Sequence, residues 1–327
     1  EADSAAFAAA LIGRRFARAQ ALAILAEGSP NWVIGELGLL RAGCVSVPLS
    51  IQLLPEEVLF RLEHSRARAL LCSLAQLEKL APLAGRLRRR RVLVIVLDEE
   101  PGTAAAAGAL FARLRLRAGK DAVLFGDLLA EGRGSFPRML VRVQKAEAKV
   151  GEDDVVTISY TSGTTGNPKG IMLTHRNYAV NCSDAVQMFE VPQGYRTLVI
   201  RPCDHSFAHT VAIYAALLRG VTLYFADSRG GGLAMVRNIP ANLLETNPVF
   251  LLTVPALSGN FMKKIQRAIH EKGRAIDGLF QAGLRAGKRL HGDGFRRPPL
   301  LTRAAAWPVY RLADALVFRR VRRTFGS

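Results

Sequence analysis

Between Tyr160 and Ile171 the chain sets Thr161, Ser162, Gly163, Thr164, Thr165, Gly166, Asn167, Pro168, Lys169 and Gly170 in unbroken succession. Residues of these types can hold phosphate. Gly163, Gly166 and Gly170 let the backbone approach an anion and turn its amides inward. The hydroxyls add donors, Lys169 adds a point charge, and Pro168 stiffens the arm that carries it. The commoner nucleotide loop needs Gly and Lys adjacent, with Ser or Thr directly after the Lys. Here Asn167 and Pro168 intervene and Gly170 follows, so this is a different loop. A surface turn of small polar residues is the plain alternative. A run this long, closed by Pro-Lys-Gly and flanked by two apolar segments, argues against it.

A second constellation is Arg201-Pro-Cys-Asp-His-Ser-Phe-Ala-His209. His205 and His209 stand four apart, which on a helix suits a shared metal. The zinc-protease helix needs Glu directly after the first His, however, and Ser206 is there. No third ligand is apparent, so two ordinary histidines at a helix start is the plainer reading.

Elements must position these groups. Val155, Val156, Thr157 and Ile158 predict a strand ending near Tyr160, and residues 175–189 a helix. Upstream, Ser29-Pro30 supplies a cap and first-turn proline for a helix through Leu40, between strands at Ala21–Ala26 and Val45–Pro48. A helix begins at Pro55, where Leu54 stands in place of a capping hydroxyl. Strands at Ala69–Ser73 and Val92–Leu97 enclose a helix at Leu74–Leu83. The five arginines of 86–91 read as a solvated turn. Residues 98–150 are poorly patterned: Pro101–Gly108 suggests a flexible insertion and Phe125–Gly132 a short helix. Beyond the loop, strands are expected at Thr197–Ile200, Val221–Ala226 and Val249–Val254. Helices are expected at Phe207–Leu218, from Leu233 until Pro240 interrupts, and over Ala256–Glu271, Ala275–Leu290 and Ala304–Val321. Continuous apolar strands alternating with helices predict an α/β fold, two lobes with mostly parallel sheets covered by helices. The boundary is expected near residue 192: a first lobe over 1–192 carrying the loop and an incomplete second over 193–327.

With 327 residues, half of them hydrophobic and 22% charged, the chain is globular rather than disordered. Its net charge of +18 raises the question of a polyanion partner. The cations are mostly Arg in an Ala- and Leu-rich background, without aromatic interleaving or a nucleic-acid motif, so no nucleic-acid partner is expected. Peripheral attraction to an anionic membrane is the other reading. Cys44, Cys72, Cys182 and Cys203 are scattered, as free thiols in a reducing compartment would be. No secretory signal is visible, and no apolar run nears the roughly 20 residues of a bilayer span. A cytoplasmic protein is expected, with peripheral placement at the inner membrane surface as the alternative.

The stretch Tyr160-Thr-Ser-Gly-Thr-Thr-Gly-Asn-Pro-Lys-Gly170, with Thr174-His175 beyond it, resembles the phosphate loop of the adenylate-forming superfamily, the AMP-binding enzymes. Ala23–Trp32, Gly43–Pro48, Thr253-Val-Pro255 and Tyr310–Asp314 look more narrowly like bacterial long-chain fatty acid–CoA ligases. The resemblance implies ATP-dependent activation of a fatty acid to an acyl-adenylate, then transfer to coenzyme A, with magnesium assisting. It implies that Thr161 helps hold the magnesium, that Ser162 to Gly166 and Lys169 surround the β- and γ-phosphates, and that Lys169 and Thr161 serve catalysis. It places Pro202-x-x-His205 at the acyl-pocket motif, where the His or a neighbouring aromatic borders the adenylate and gates the acyl channel, with His209 at a position that can carry the gate.

The chain also departs from the family. Its Tyr-Gly-x-Thr-Glu motif, its Thr-Gly-Asp and the lysine of its small C-terminal domain do not occur. The expectation is a first part of the large domain, beginning slightly inside the usual N-terminus, that does not turn over alone. Two alternatives remain: a carboxylate-activating enzyme for carrier proteins or for short or aryl acids, and a non-catalytic nucleotide- or acyl-binding module.

Overall fold

Seven strands form one sheet in the order β5-β4-β3-β1-β2-β6-β7. They are β1 (Ala21–Leu25), β2 (Val45–Pro48), β3 (Ala69–Cys72), β4 (Leu93–Val96), β5 (Ala122–Leu124), β6 (Val155–Thr161) and β7 (Lys169–Thr174). Every neighbouring pair is parallel except β6 and β7, which run antiparallel. This computed structural model describes all residues but 162–167, 229–231, 254, 293–295 and 325–327, and omits the side chains of 232–234 and 256.

Strands β1, β3 and β4 carry no charged or hydroxyl side chain at any position because both of their faces are covered. Side chains alternate between faces along a strand. Ala23, Leu25, Leu70, Cys72, Val94 and Val96 face one core, packed by α3 (Pro55–His64), α4 (Leu74–Lys79), α5 (Ala84–Arg89) and α6 (Thr103–Arg113). On the other face lie α1 (Ala2–Gly13), α2 (Pro30–Arg41) and α7 (Phe125–Glu147). There Phe7 meets Phe125 edge-on at 4.9 Å, and Gly35 of α2 rests against Leu71.

Local chemistry explains most boundaries. The Ser29 hydroxyl accepts from the Trp32 amide at 3.2 Å and Pro30 opens α2. Leu54 cannot cap α3, but the Glu57 carboxylate reaches back to the Leu54 amide at 2.8 Å, half of a capping box. The Asp98 carboxylate accepts from the Leu74 amide at the start of α4.

The structure corrects several expectations. The helix expected over Leu74–Leu83 breaks at Leu80 into α4 and a short 3₁₀ turn, Ala81–Leu83. The arginines of 86–91 belong largely to α5, where cations suit the negative end of the helix dipole. Arg86 and Arg90 pair with Glu56 and Glu63 of α3. In place of a flexible insertion stands α6, which buries Ala107, Leu110 and Phe111. The short helix expected from Phe125 continues through Pro137 to Glu147. Its close approach to α1 depends on Gly132, where a Cβ would lie 1.9 Å from the Ala6 carbonyl oxygen.

The chain packs as two compact units, Glu1–Gly194 with Arg201–Phe225, and Tyr195–Ile200 with Ala226–Ser327. The first also holds α8 (His175–Met188), a π-helical stretch Ala208–Tyr214 running into α9 (Ala215–Leu218), and β9 (Thr222–Phe225). Among its described residues the second contains β8 (Arg196–Val199) and the helices α10 (Gly232–Thr246), α11 (Pro255–His270), α12 (Arg274–His291), α13 (Leu300–Ala313) and α14 (Arg319–Arg323). Pro240 sits within α10 without ending it. The strand expected at Val249–Val254 is reduced to one bridge, Thr197 to Phe250, tied by the Thr197 hydroxyl donating to the Phe250 carbonyl at 2.9 Å. A second turn of π-helix, Asp314–Phe318, joins α13 to α14.

Candidate active site

The antiparallel pair β6–β7 is the arm of the candidate phosphate loop. Its register runs from Val155 opposite Thr174 to Thr161 opposite Lys169. Thr161 and Lys169 are both exposed at its end, and the sequence-predicted residues Ser162, Gly163, Thr164, Thr165 and Gly166 lie outside the described residues.

Two tyrosines fix this arm. Tyr160, one residue before Thr161, places its hydroxyl 2.8 Å from Nδ1 of His64 on α3. The Arg61 guanidinium lies over its ring at 5.4 Å. Burial raises the Tyr160 pKa, so the group remains a hydroxyl at neutral pH. Across the ladder, Gly170 leaves room for that ring: a Cβ there would lie 2.9 Å from Cγ2 of Ile158 and 3.3 Å from Cζ of Tyr160. The third glycine of the loop sequence is therefore needed for packing, whatever it does for an anion.

On the other side of β6, the Thr157 hydroxyl lies 3.1 Å from that of Tyr178 on α8. The Thr174 hydroxyl caps α8 by accepting from the Asn177 amide at 3.2 Å, and Oδ1 of Asn177 accepts from the Thr174 amide at 2.9 Å.

Tyr178 connects this strand to His209. Its hydroxyl lies 3.3 Å from Nδ1 of His209, and burial pushes its pKa up to about 12. Both carboxylate oxygens of Glu36 lie 2.8 Å from Nε2 of the same ring. A carboxylate only accepts, so Nε2 carries a proton. In the neutral ring Nδ1 is then left to accept from Tyr178. Trp32, one turn before Glu36 on α2, packs edge-on to the imidazole at 5.7 Å. His209 is wholly buried, whereas His205 is exposed and accepts from the Phe207 amide through Nδ1 at 3.2 Å. The structure thus joins His209 to the strand that bears the loop and turns His205 outward.

The sequence reading missed Glu36 and Tyr178. A carboxylate on an apolar face of α2, at the i+4 position from a tryptophan, was the available signal. The four cysteines are free and buried. Burial pushes Cys182 up to about 11 and Cys44 up to about 12, so neither offers a thiolate at neutral pH.

Against this geometry stands one decisive comparison: residues 1–294 match the sequence profile of the AMP-binding enzymes. The chain belongs to that family. This AMP-binding enzyme is 27% identical over 301 residues to the peroxisomal long chain acyl-CoA synthetase 6 of Arabidopsis thaliana, covering 91% of the chain and 38% of that protein. It is 20% identical over 332 residues to a chloroplastic long-chain-fatty-acid–[acyl-carrier-protein] ligase from the same plant, covering 93% and 43%. It spans less than half the length of these relatives. Among solved structures, the N-terminal domain of FACL13 from Mycobacterium tuberculosis superposes with a TM-score of 0.56 at 24% identity, over 80% of this chain and 56% of that one. That likeness shows the shared α/β fold. No helix among the described residues is long and apolar enough to cross a membrane.

Proposed function

We propose that this AMP-binding enzyme takes part in the ATP-dependent activation of a long-chain fatty acid and its transfer to coenzyme A. The observation that carries the reading is the end of the β6–β7 arm, where Thr161 and Lys169 stand opposite each other at the two roots of a hydroxyl- and glycine-rich loop.

A fatty carboxylate has a pKa near that of Glu, ~4.3, and reaches neutral pH already ionised. Its oxygen attacks the α-phosphorus of ATP, the bond to the bridging oxygen breaks, and pyrophosphate leaves with the electron pair. No proton has to move. The obstacle is bringing two anions together and holding the diphosphate that departs, so charge neutralisation and positioning dominate. Lys169 and the loop hydroxyls serve that purpose, and Thr161 would give one oxygen to a magnesium ion entering with the nucleotide. Among the described residues no group of three or more His, Cys, Asp or Glu side chains could hold a metal. A cation bound mainly through substrate phosphates needs no such group. In the second half, coenzyme A gives its thiol proton to solvent, its sulfur attacks the acyl carbonyl, and the bond from that carbon to the phosphate oxygen breaks so that AMP leaves with the electron pair. His205 would border the adenylate; His209, held by Glu36 and Tyr178, would position the element that carries it. The unpaired cysteines support a reducing, cytoplasmic setting.

A second reading, transfer to a carrier protein, is favoured by the relative named as an acyl-carrier-protein ligase. The test is exchange of labelled pyrophosphate into ATP by the intact enzyme, driven by acids of increasing chain length, followed by capture with coenzyme A or a carrier protein. Exchange rising with chain length and a coenzyme A thioester support the proposal. Exchange driven only by short or aryl acids, or a product formed only on the carrier, contradicts it.

A further inference from the structure

Trp32, Tyr178 and Tyr214 box the imidazole of His209. Trp32 meets it edge-on at 5.7 Å, Tyr178 at 5.5 Å, and Tyr214, five residues further along the same helix, at 4.9 Å. The two tyrosine rings also meet each other at 4.9 Å. In an α-helix, residues five apart point about 140° away from one another. The π winding of Ala208–Tyr214 is what brings His209 and Tyr214 to one side. Such winding is rare and gathers at functional sites.

Inside the box the hydrogen bonds run in one direction. The Glu36 carboxylate only accepts, so Nε2 donates to it at 2.8 Å, and Nδ1 is left to accept from the Tyr178 hydroxyl at 3.3 Å. Having given its proton, the Tyr178 oxygen accepts from the Thr157 hydroxyl at 3.1 Å. Glu36 keeps 1% of its surface, and Thr157 and His209 keep none, so water does not compete for these bonds. Both ends of this run matter. Thr157 lies on β6, four residues before Thr161 at the root of the loop. The His209 amide donates to the His205 carbonyl at 2.9 Å, so the backbone of His205 is fixed along with the ring.

We propose that Thr157, Tyr178 and Glu36 are positioning residues that hold His209 as a fixed post, so that the segment bearing His205 keeps a set place against the strand bearing Thr161. The roles of the two ends rest on the ligase reading. For His209 to swing aside and admit an acyl chain, bonds at both ring nitrogens would have to break and leave the Glu36 carboxylate buried without a donor, a heavy cost. His209 therefore stays in place, and movement that admits the acid belongs to His205 and Phe207, which are exposed. Attack on the α-phosphorus needs the two substrates in near contact, and a misplacement of about 1 Å can cost roughly 100-fold. Binding of the phosphates alone does not use the link.

Thr157→Val and Tyr178→Phe each remove one hydroxyl with little change of shape. In pyrophosphate exchange by the intact enzyme, each should raise the KM for the fatty acid about fivefold or more and leave the KM for ATP within about twofold. The double variant should be no worse than either single one, because one broken bond already uncouples the ends. Nitrogen NMR at neutral pH should find Nε2 of His209 protonated and Nδ1 bare, and Tyr178→Phe should shift the Nδ1 signal. A merely structural role would lower kcat through loss of folded enzyme and leave both KM values where they were. That result, wild-type kinetics in both variants, or an Nδ1 signal indifferent to Tyr178→Phe would each overturn the proposal. Failure of the ligase reading has a different signature, the absence of exchange by the wild type with any acid. It would take the roles of both ends with it, and the Nδ1 signal would still decide whether His209 is held as described.

Discussion

Glu36 holds Nε2 of His209 with both of its carboxylate oxygens, at 2.8 Å each, deep inside the first unit. A buried carboxylate that loses its donor keeps its full desolvation cost. His209→Ala should therefore lower stability by about 3–5 kcal/mol. Urea unfolding measures it, and a loss below about 1 kcal/mol would show that water replaces the imidazole at no cost. Glu36→Gln, which keeps an acceptor for Nε2, should lose less than His209→Ala.

Tyr160 and Gly170 should behave as one packed pair. Gly170→Ala places a Cβ 2.9 Å from Ile158. Overpacking of this kind costs roughly 1–3 kcal/mol. Tyr160→Phe removes the hydrogen bond to His64 and should cost about 1 kcal/mol. If Gly170→Ala melts at the wild-type temperature, the ring does not occupy the space above that glycine.

The crossing of α1 and α7 gives a sharper steric test. A Cβ on Gly132 would meet backbone, the Ala6 carbonyl, at 1.9 Å, and no side-chain rotation relieves that. Gly132→Ala should lower the melting temperature by several degrees, and Gly134→Ala, whose Cβ would meet nothing, should not.

How far the fold was legible follows from these particulars. The strands around β1 and β3 were readable because residues buried on both faces must be apolar throughout. The boundary of α2 was readable because Ser29-Pro30 acts locally. Of the arm, β6 was readable from its β-branched run, whereas β7 and its antiparallel pairing were not, because Ile171–Leu173 is too short a run to declare its partner. By contrast, α7 looked short because Gly132, Gly134 and Pro137 break propensity, and only packing on α1 carries the helix through them. The apolar run at 249–254 suggested a strand, but whether a strand forms depends on a partner that propensity does not record. In the candidate site, Thr161 and Lys169 were singled out by residue type alone, and what the structure adds is that they stand opposite each other on the arm. The bond from Glu36 to His209 joins residues 173 positions apart and has no local signature.

Acid pH should act on Asp121. Its hydrogen bond with Arg117 holds its pKa at about 2, below the ordinary 3.8. A depressed carboxyl pKa stabilises the fold above the unfolded value, and that contribution is lost as pH falls from near 3.8 toward 2. Carboxyl NMR should find Asp121 titrating well below the other aspartates, and Arg117→Ala should return it to the ordinary range. Titration near 4 in the wild-type chain would remove the interaction from solution.

The central claim, proposed above, is that the segment between Thr161 and Lys169 grips a diphosphate. Its most direct measurement is calorimetric titration of inorganic pyrophosphate with magnesium into the wild-type chain and into Lys169→Ala, with thermal melts to verify equal folding. A hydrogen bond to a charged group contributes about 1.5–3 kcal/mol. The account predicts saturable binding by the wild type, weakened about tenfold or more by the substitution. Equal affinity in two equally folded chains, or no saturable binding by the wild type, would contradict it.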